Sequence, residues 1–260
     1  MISENLIVIG TVASLLAGLM TSVGALPALF GRPVDTRWND TLLGFAAGVM
    51  LAASFFSLII PGIEQASGVF GGNTLPAAVA VAGVLIGAGT MAALNEWIPH
   101  EHFFQGRQGP VATELARIWL FVLAIAIHNA PEGLAVGVGF GGGDMTAGTT
   151  LAIGIGLQNA PEGLAVAMAL LSVGNSRIRA FGVASLTRLI EPMAGLLGAW
   201  GVSLSHLALP WALTFAAGAM IYVISHEIIP ETHQHGYEKQ ATLGLTIGLA
   251  AMMFLDVAFG

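Results

Sequence analysis

Two ten-residue segments of this chain are nearly identical. Residues 127–136 read Ile-His-Asn-Ala-Pro-Glu-Gly-Leu-Ala-Val, and residues 157–166 read Leu-Gln-Asn-Ala-Pro-Glu-Gly-Leu-Ala-Val. Eight of the ten positions match, and the copies are 30 residues apart. In each copy the first polar residue stands four positions before the glutamate, so both side chains lie on the same face of a helix. Each pair can therefore hold one ion between them.

A proline precedes the glutamate in each copy, Pro131 in the first and Pro161 in the second. Proline has no amide hydrogen, so the carbonyl oxygen four residues earlier, of Ile127 or Leu157, loses its helical partner. The sequence therefore predicts a kink in each helix and a carbonyl that can bind an ion or water.

The composition around the repeat is that of a membrane protein. Of the 260 residues, 55% are hydrophobic and 9% are charged, whereas soluble chains carry about 25% charged residues. This composition excludes disorder and a nucleic-acid partner. The absence of cysteine excludes disulfides and thiolate metal sites. The 35 glycines predict helices that pack closely and can slide along one another.

Eight hydrophobic segments are long enough to cross a bilayer, because about 20 apolar helical residues span its core. They cover residues 5–30, 41–62, 76–97, 115–138, 146–173, 178–204, 209–230 and 241–259. The sequence thus predicts one all-α membrane domain over residues 1–260, with the lipid bilayer as its surroundings. Seven of the eight basic residues lie in or beside the first, third, fifth and seventh loops. Such loops remain cytoplasmic, so both termini are expected on the outer side.

Three glutamates lie near the middle of these segments, where an ionised side chain costs about 2.5–3.5 kcal/mol. Glu132 and Glu162 have no basic residue near them in sequence, whereas Arg188 stands three positions before Glu191 and is its candidate charge partner. Other donors are expected at similar depth, namely Met50, His128, Asn129, Gln158 and Asn159. A bound cation would compensate this buried negative charge.

The donor set indicates which ion this is. Carboxylates, an imidazole, amide oxygens and a thioether together suit zinc, cadmium or another first-row divalent ion. Calcium and magnesium prefer oxygen ligands alone. Because each glutamate can bridge, the site can hold a pair of ions. We expect the metal to be the substrate, and we predict no cofactor.

Further polar residues stand at the ends of the segments. On the outer side, Glu64 and Asp256 are candidates for an acidic entrance that attracts cations. On the cytoplasmic side, the candidate release residues are Asn95, Glu96, His100, His102, His226, Glu227, Glu231, His233 and His235. Ordinary solvated helix ends and loops remain the alternative for both sets.

The duplicated motif resembles the two signature helices of the ZIP (Zrt/Irt-like) metal transporters. Met50 within Gly-Val-Met-Leu-Ala, the run Pro99-His100-Glu101-His102, and Glu191 followed by Pro192 are similar to the compact bacterial GufA-like branch. The resemblance extends over essentially the whole chain. It implies eight helices arranged 3+2+3 with inverted pseudo-symmetry, in the bacterial inner (plasma) membrane with periplasmic termini.

The resemblance also implies two metal sites at mid-depth between helices four and five. The first would consist of Met50, His128, Glu132, Gln158 and Glu162. The second would consist of Asn129, Glu132, Asn159, Glu162 and Glu191, with the two glutamates bridging. Many relatives have histidine in place of Gln158, and a neutral amide is a poorer zinc ligand than an imidazole.

We therefore expect uptake of zinc and related divalent ions, with cadmium, iron, manganese and cobalt as further candidates. The family mechanism implied is elevator-like alternating access, in which helices one, four, five and six move against the others. A selective channel with the same site is the alternative, and a sensor that binds without transport is a third reading. The sequence leaves the coupling ion, the resting conformation and the oligomeric state open, and a homodimer is among the allowed oligomers.

An enzyme is not expected. Paired carboxylates around a metal can activate water for hydrolysis. However, His226-Glu227 lacks the second histidine of the zincin pattern, and no serine or cysteine nucleophile stands beside a base.

Overall fold

The computed structural model describes residues 2–30, 34–97, 100–102, 106–108, 117–172, 174–205 and 207–259. The first six helices are α1 Ile2–Ala25, α2 Pro27–Phe30, α3 Thr36–Ala52, α4 Ile60–Phe70, α5 Thr74–Trp97 and α6 Arg117–Gly141. The next six are α7 Met145–Ser172, α8 Arg177–Thr187, α9 Ile190–Leu204, α10 Ala208–Val223, α11 Ile229–Thr232 and α12 Glu238–Phe259. The side chains of residues 98–126, including those of His100 and His102, lie outside the described part.

The described chain is helical apart from one short hairpin that the all-α prediction did not include. Strands β1 His100–His102 and β2 Gly106–Gln108 pair antiparallel, with Glu101 opposite Arg107. The strand residues themselves, His-Glu-His and Gly-Arg-Gln, include no hydrophobic side chain that would favour a packed helix here.

Six stretches of the described chain are long and apolar enough to cross a bilayer. They cover residues 4–30, 36–70, 74–97, 177–204, 208–232 and 238–259. The helices that carry the duplicated motif, α6 and α7, are not among the six, although they have 25 and 28 residues. A span needs about 20 residues, so both helices are long enough, and eight spans remain a prediction.

Two of these stretches contain a π-helical segment directly before an Ile-Pro pair. Segment π1, Ala53–Ile59, joins α3 to α4, and segment π2, Ile224–Ile228, joins α10 to α11. Pro61 and Pro230 follow, and each removes a hydrogen bond and crowds the carbonyl four residues earlier. The amides just before these prolines bond five residues back, from Ile60 to Phe55 and from Ile229 to Ile224, which is π-helical geometry.

The predicted sixth span, 178–204, is not one continuous helix. α8 ends at Thr187 and α9 begins at Ile190. Pro192 cannot donate to the Arg188 carbonyl, and the Glu191 amide bonds to that oxygen instead, at 3.1 Å. The helix is therefore interrupted by a turn with an i→i+3 hydrogen bond, in which residues three apart, such as Arg188 and Glu191, still lie on the same side.

The helices associate in two groups. The signature group contains α1, α6, α7, α8 and α9, and its closest pairs are α1 with α7 and α6 with α9. The π group contains α3, α4, α5, α10, α11 and α12, and its closest pairs are α3 with α12 and α5 with α10. The groups meet chiefly where α3 contacts α7 and where α10 contacts α6.

Glycines bring backbones together inside each group. A Cβ added at Gly137 of α6 would lie 2.0 Å from the Gly195 carbonyl oxygen of α9, and one at Gly163 of α7 would lie 2.0 Å from the Thr21 carbonyl oxygen of α1. Between the groups, a Cβ at Gly154 would instead meet the flexible end of the Met252 side chain. The close backbone contacts that the glycine content predicts therefore join helices within a group, and sliding of helices stays a prediction.

Candidate metal centre

The predicted ligands come from four helices, of which α6 packs against α7 and α9, and α3 packs against α7. α6 supplies His128, Asn129 and Glu132, α7 supplies Gln158, Asn159 and Glu162, α9 supplies Glu191, and α3 supplies Met50. The side chains of Met50, Glu132 and Gln158 are 1%, 0% and 0% exposed. The duplicated motif therefore places its polar residues in the interior, and the helix does not end at either motif proline.

Several donor atoms of this set are buried and unbonded. Within the described part of the chain, no hydrogen-bond partner is found for either oxygen of Glu132, for the Gln158 amide atoms, for Asn159 Oδ1 or for Glu162 Oε1. Buried polar atoms are bonded in the great majority of cases, and an unsatisfied one costs about 1–3 kcal/mol. These oxygen atoms therefore fit a cation as their partner.

The charges of the set are also close together. The Glu132 carboxylate is near enough to the Glu162 and Glu191 carboxylates to interact with them electrostatically. The His128 ring interacts in the same way with the Glu162 carboxylate. Among the described residues, no three His, Asp or Glu side chains are gathered at metal-ligand spacing. The structure thus brings the predicted ligands into one buried region without converging them on a point.

One predicted ligand contacts a predicted release residue. His128 Nε2 contacts Glu227 Oε2, and the two side chains are 17% and 5% exposed. Glu227 belongs to segment π2, so this contact joins the signature group to the π group. Sequence spacing gave no indication that Glu227 reaches the centre.

The predicted partner of Glu191 has another contact. Arg188 Nη1 donates to Ser22 Oγ at 2.9 Å. Within the described residues, no ion pair of 4.0 Å or less joins Arg188 to Glu191, although the two charges influence each other. Asn159 Nδ2 is the group that donates to the Glu191 carboxylate, at 3.2 and 3.0 Å.

The two candidate entrance residues differ in their surroundings. Asp256 Oδ1 accepts a hydrogen bond from Ser57 Oγ at 2.7 Å, and Ser57 lies in segment π1. Glu64 on α4 is exposed and makes no hydrogen bond or ion pair with the described residues. Ser57 was not predicted. The sequence Ile-Ile-Pro occurs at both 59–61 and 228–230, and this unrecognised repeat was a signal from which the two π segments could have been found.

At the other end, Tyr222 links two candidate release residues. Asn95 Nδ2 donates to the Tyr222 hydroxyl at 3.5 Å, and the Tyr222 ring stacks on His226 with centroids 5.0 Å apart. Tyr222 was not predicted, and its single hydroxyl within an apolar helix gave no pattern to recognise. Glu96, by contrast, is exposed on α5.

The remaining candidates form local contacts around the end of α11. His235 Nδ1 lies 3.1 Å from both carboxylate oxygens of Asp40, which is 0% exposed. His233 Nδ1 lies 2.9 Å from the Ile229 carbonyl oxygen, and Glu231 is half-buried nearby. Asp40 was not predicted as part of this cluster.

Comparison with known proteins decides the family. The profile described as ZIP zinc transporter matches residues 100–256. The chain belongs to the ZIP family. It is 49% identical over 240 residues to zinc transporter ZIPB of Bordetella bronchiseptica, which covers 92% of this chain and 78% of that protein. It is 44% identical over 251 residues to zinc transporter GufA of Myxococcus xanthus, which covers 96% of this chain and 99% of that protein.

An animal zinc transporter is also similar to this chain over nearly the whole length of both proteins. The human zinc transporter ZIP11 is 37% identical over 322 aligned positions, which cover 93% of this chain and 94% of that protein. The resemblance to a bacterial, GufA-like ZIP protein is thus confirmed. The chain is a multi-pass membrane protein of a transporter family and not an enzyme.

Proposed function

We propose that this ZIP protein transports zinc into the cytoplasm through the centre between α6 and α7. The observation that carries the proposal is the group of buried, unbonded oxygen atoms on Glu132, Gln158, Asn159 and Glu162. Together they supply the charge and donors that a desolvated dication requires. The names of the relatives, which are zinc transporters, support zinc as the substrate. Cadmium, iron, manganese and cobalt are further substrates in this proposal.

The proposed topology has eight spans arranged 3+2+3, with both termini outside the cytoplasm of a bacterial inner membrane. The alternation of basic loops supports this orientation. Inverted pseudo-symmetry would make the second and seventh spans equivalent. In agreement with that, both contain a π segment and the same Ile-Ile-Pro sequence, at 59–61 and 228–230.

The proposed mechanism is elevator-like movement of the signature group against the π group. Glycine-mediated backbone contacts hold α6 to α9 and α3 to α12, each within one group, whereas side chains fill the boundary between the groups. A boundary of side chains can rearrange while each group remains intact. Met50 lies in the π group, so it would contact the ion in only one state.

Zinc uptake into proteoliposomes that contain a zinc-sensitive dye tests the transport proposal. Saturable flux without unitary currents is expected for a carrier. Unitary currents in planar bilayers would favour the selective channel instead. Zinc binding without any flux would favour the sensor, and would overturn the transport proposal.

Replacement of Gln158 by histidine is expected to tighten zinc binding. An imidazole is a stronger zinc ligand than an amide oxygen, and a gain of about 1.4 kcal/mol corresponds to about tenfold in Kd. Competitive titration of purified protein with zinc and manganese measures this change, and zinc should gain more than manganese. Gln158→Asn, which keeps the amide, is the matched control. An unchanged zinc preference in Gln158→His would remove Gln158 from the proposed ligands.

Replacement of Asp256 by alanine is expected to raise the KM for zinc about threefold to tenfold without a change in maximal flux. A carboxylate at the entrance raises the local cation concentration, and this effect weakens as salt screens it. The measurement is zinc flux at low and high ionic strength. Ser57→Ala is the matched control, because it removes the 2.7 Å hydrogen bond and keeps the charge. An equal rise in KM for both variants would indicate a structural role instead.

A further inference from the structure

The side-chain amide of Asn159 is held between two other helices. Its Nδ2 donates to the Ala17 carbonyl oxygen of α1 at 3.1 Å and to both Glu191 carboxylate oxygens of α9 at 3.2 and 3.0 Å. A backbone carbonyl can only accept a hydrogen bond, so the contact with Ala17 fixes the amide orientation with its nitrogen toward Ala17 and Glu191. Asn159 Oδ1 is therefore turned away, and this buried atom has no hydrogen-bond partner within the described chain.

Glu191 is held in place from several sides. Its side chain is 0% exposed, and Ser14 Oγ of α1 donates to its backbone carbonyl at 2.8 Å. A Cβ added at Gly18 would lie 3.1 Å from its carboxylate atoms. This carboxylate thus packs against α1 and faces the Asn159 amide nitrogen, and an N–H group is a hydrogen-bond donor that cannot ligate a metal.

We propose that Glu191 is a positioning residue that turns Asn159 Oδ1 toward the ion, and that the centre consequently binds one zinc ion and not two. This inference rests on the proposed function, because it concerns the same centre. It differs from the sequence-based expectation, in which Asn159 and Glu191 both ligate a second ion. In the structure, the amide hydrogens of Asn159 fill the position between these two side chains.

The balance of charge supports a single ion. Glu132, Glu162 and Glu191 carry three negative charges when ionised, and the Arg188 guanidinium, which interacts with Glu191, carries one positive charge. One zinc ion therefore balances the charge of these four groups, whereas two zinc ions would leave an excess of two positive charges. A buried charge without compensation is strongly unfavourable.

Zinc content and zinc affinity of the purified full chain in detergent test this inference. The wild-type protein is expected to retain one zinc ion per chain by elemental analysis. Glu191→Gln should retain that ion with a Kd unchanged within about threefold, since the glutamine carbonyl can accept the same hydrogen bond from Asn159. Glu191→Ala removes the acceptor and should weaken zinc binding about tenfold to a hundredfold, as loss of an outer-shell partner does.

Cobalt as a spectroscopic probe separates positioning from a merely structural role. The visible absorption of the cobalt-loaded protein should be the same in wild type and Glu191→Gln, and should change in Glu191→Ala. Asn159→Asp replaces the donor by a carboxylate that faces Glu191, so it should bind a second zinc ion. Chromatographic profile and melting temperature establish that each variant is folded, and Glu191→Gln decides the question even if Asn159→Asp does not fold.

Two outcomes would overturn the inference while the proposed function remains. They are two zinc ions per wild-type chain, or a loss of zinc from folded Glu191→Gln as large as that from Glu191→Ala. Either result would make Glu191 a ligand. The absence of zinc from the wild-type protein would be a different result, because it would overturn the proposed function and the inference together.

Discussion

Alanine in place of Glu132 or Glu162 is expected to reduce zinc flux in proteoliposomes to the background of empty vesicles. Each carboxylate neutralises half of the charge of a zinc ion in a buried region, where Glu132 is 0% exposed. Removal of one member of a buried charge pair costs about 3–5 kcal/mol, and about 3 kcal/mol already corresponds to more than a hundredfold in affinity. Each single variant should therefore lose transport, although the other ligands remain.

Controls distinguish this loss from misfolding. Glu238→Ala makes the same chemical change at an exposed position at the start of α12, and its flux should equal that of the wild type. Glu132→Gln keeps the shape and removes the charge, so it should be as inactive as Glu132→Ala. Normal zinc flux in both alanine variants would contradict the assignment of the centre.

Alanine in place of Gly87 is expected to destabilise the protein more than any other single methyl addition in α5. The added Cβ would lie 2.0 Å from the Phe215 carbonyl oxygen of α10, so the two helices must separate. Overpacking of this kind costs about 1–3 kcal/mol or more. The measurement is the melting temperature of the detergent-solubilised protein, which should fall by several degrees.

Gly89 of the same helix provides the matched control. A Cβ there would have nothing within 4 Å, and alanine is a better helix former than glycine. Gly89→Ala should therefore melt at the wild-type temperature or slightly above it. Equal destabilisation by the two substitutions would show that helix propensity, and not the contact between α5 and α10, determines the effect.

Much of the candidate site could be proposed from the sequence because it depends on the spacing of residues within one helix. The pairs His128 with Glu132 and Gln158 with Glu162 are four residues apart, and helical geometry alone places each pair on one face. The hydrophobic segments predicted most helices for a similar reason, since bilayer thickness fixes their length. The interruption near Arg188 was missed because the pattern of apolar residues runs through it, and only Pro192 indicated it.

The helical membrane class, the duplicated polar motif and the family could be recognised without a structure, since each depends on residues that are neighbours along the chain. The partners of those polar groups became known from the packing of the helices. Asn159 bonds to Ala17, 142 positions away, and Ser57 bonds to Asp256, 199 positions away. His128 likewise contacts Glu227, which is distant from it in the sequence. Such pairings arise when glycine-mediated packing brings distant helices together, and no periodicity within a single helix encodes them.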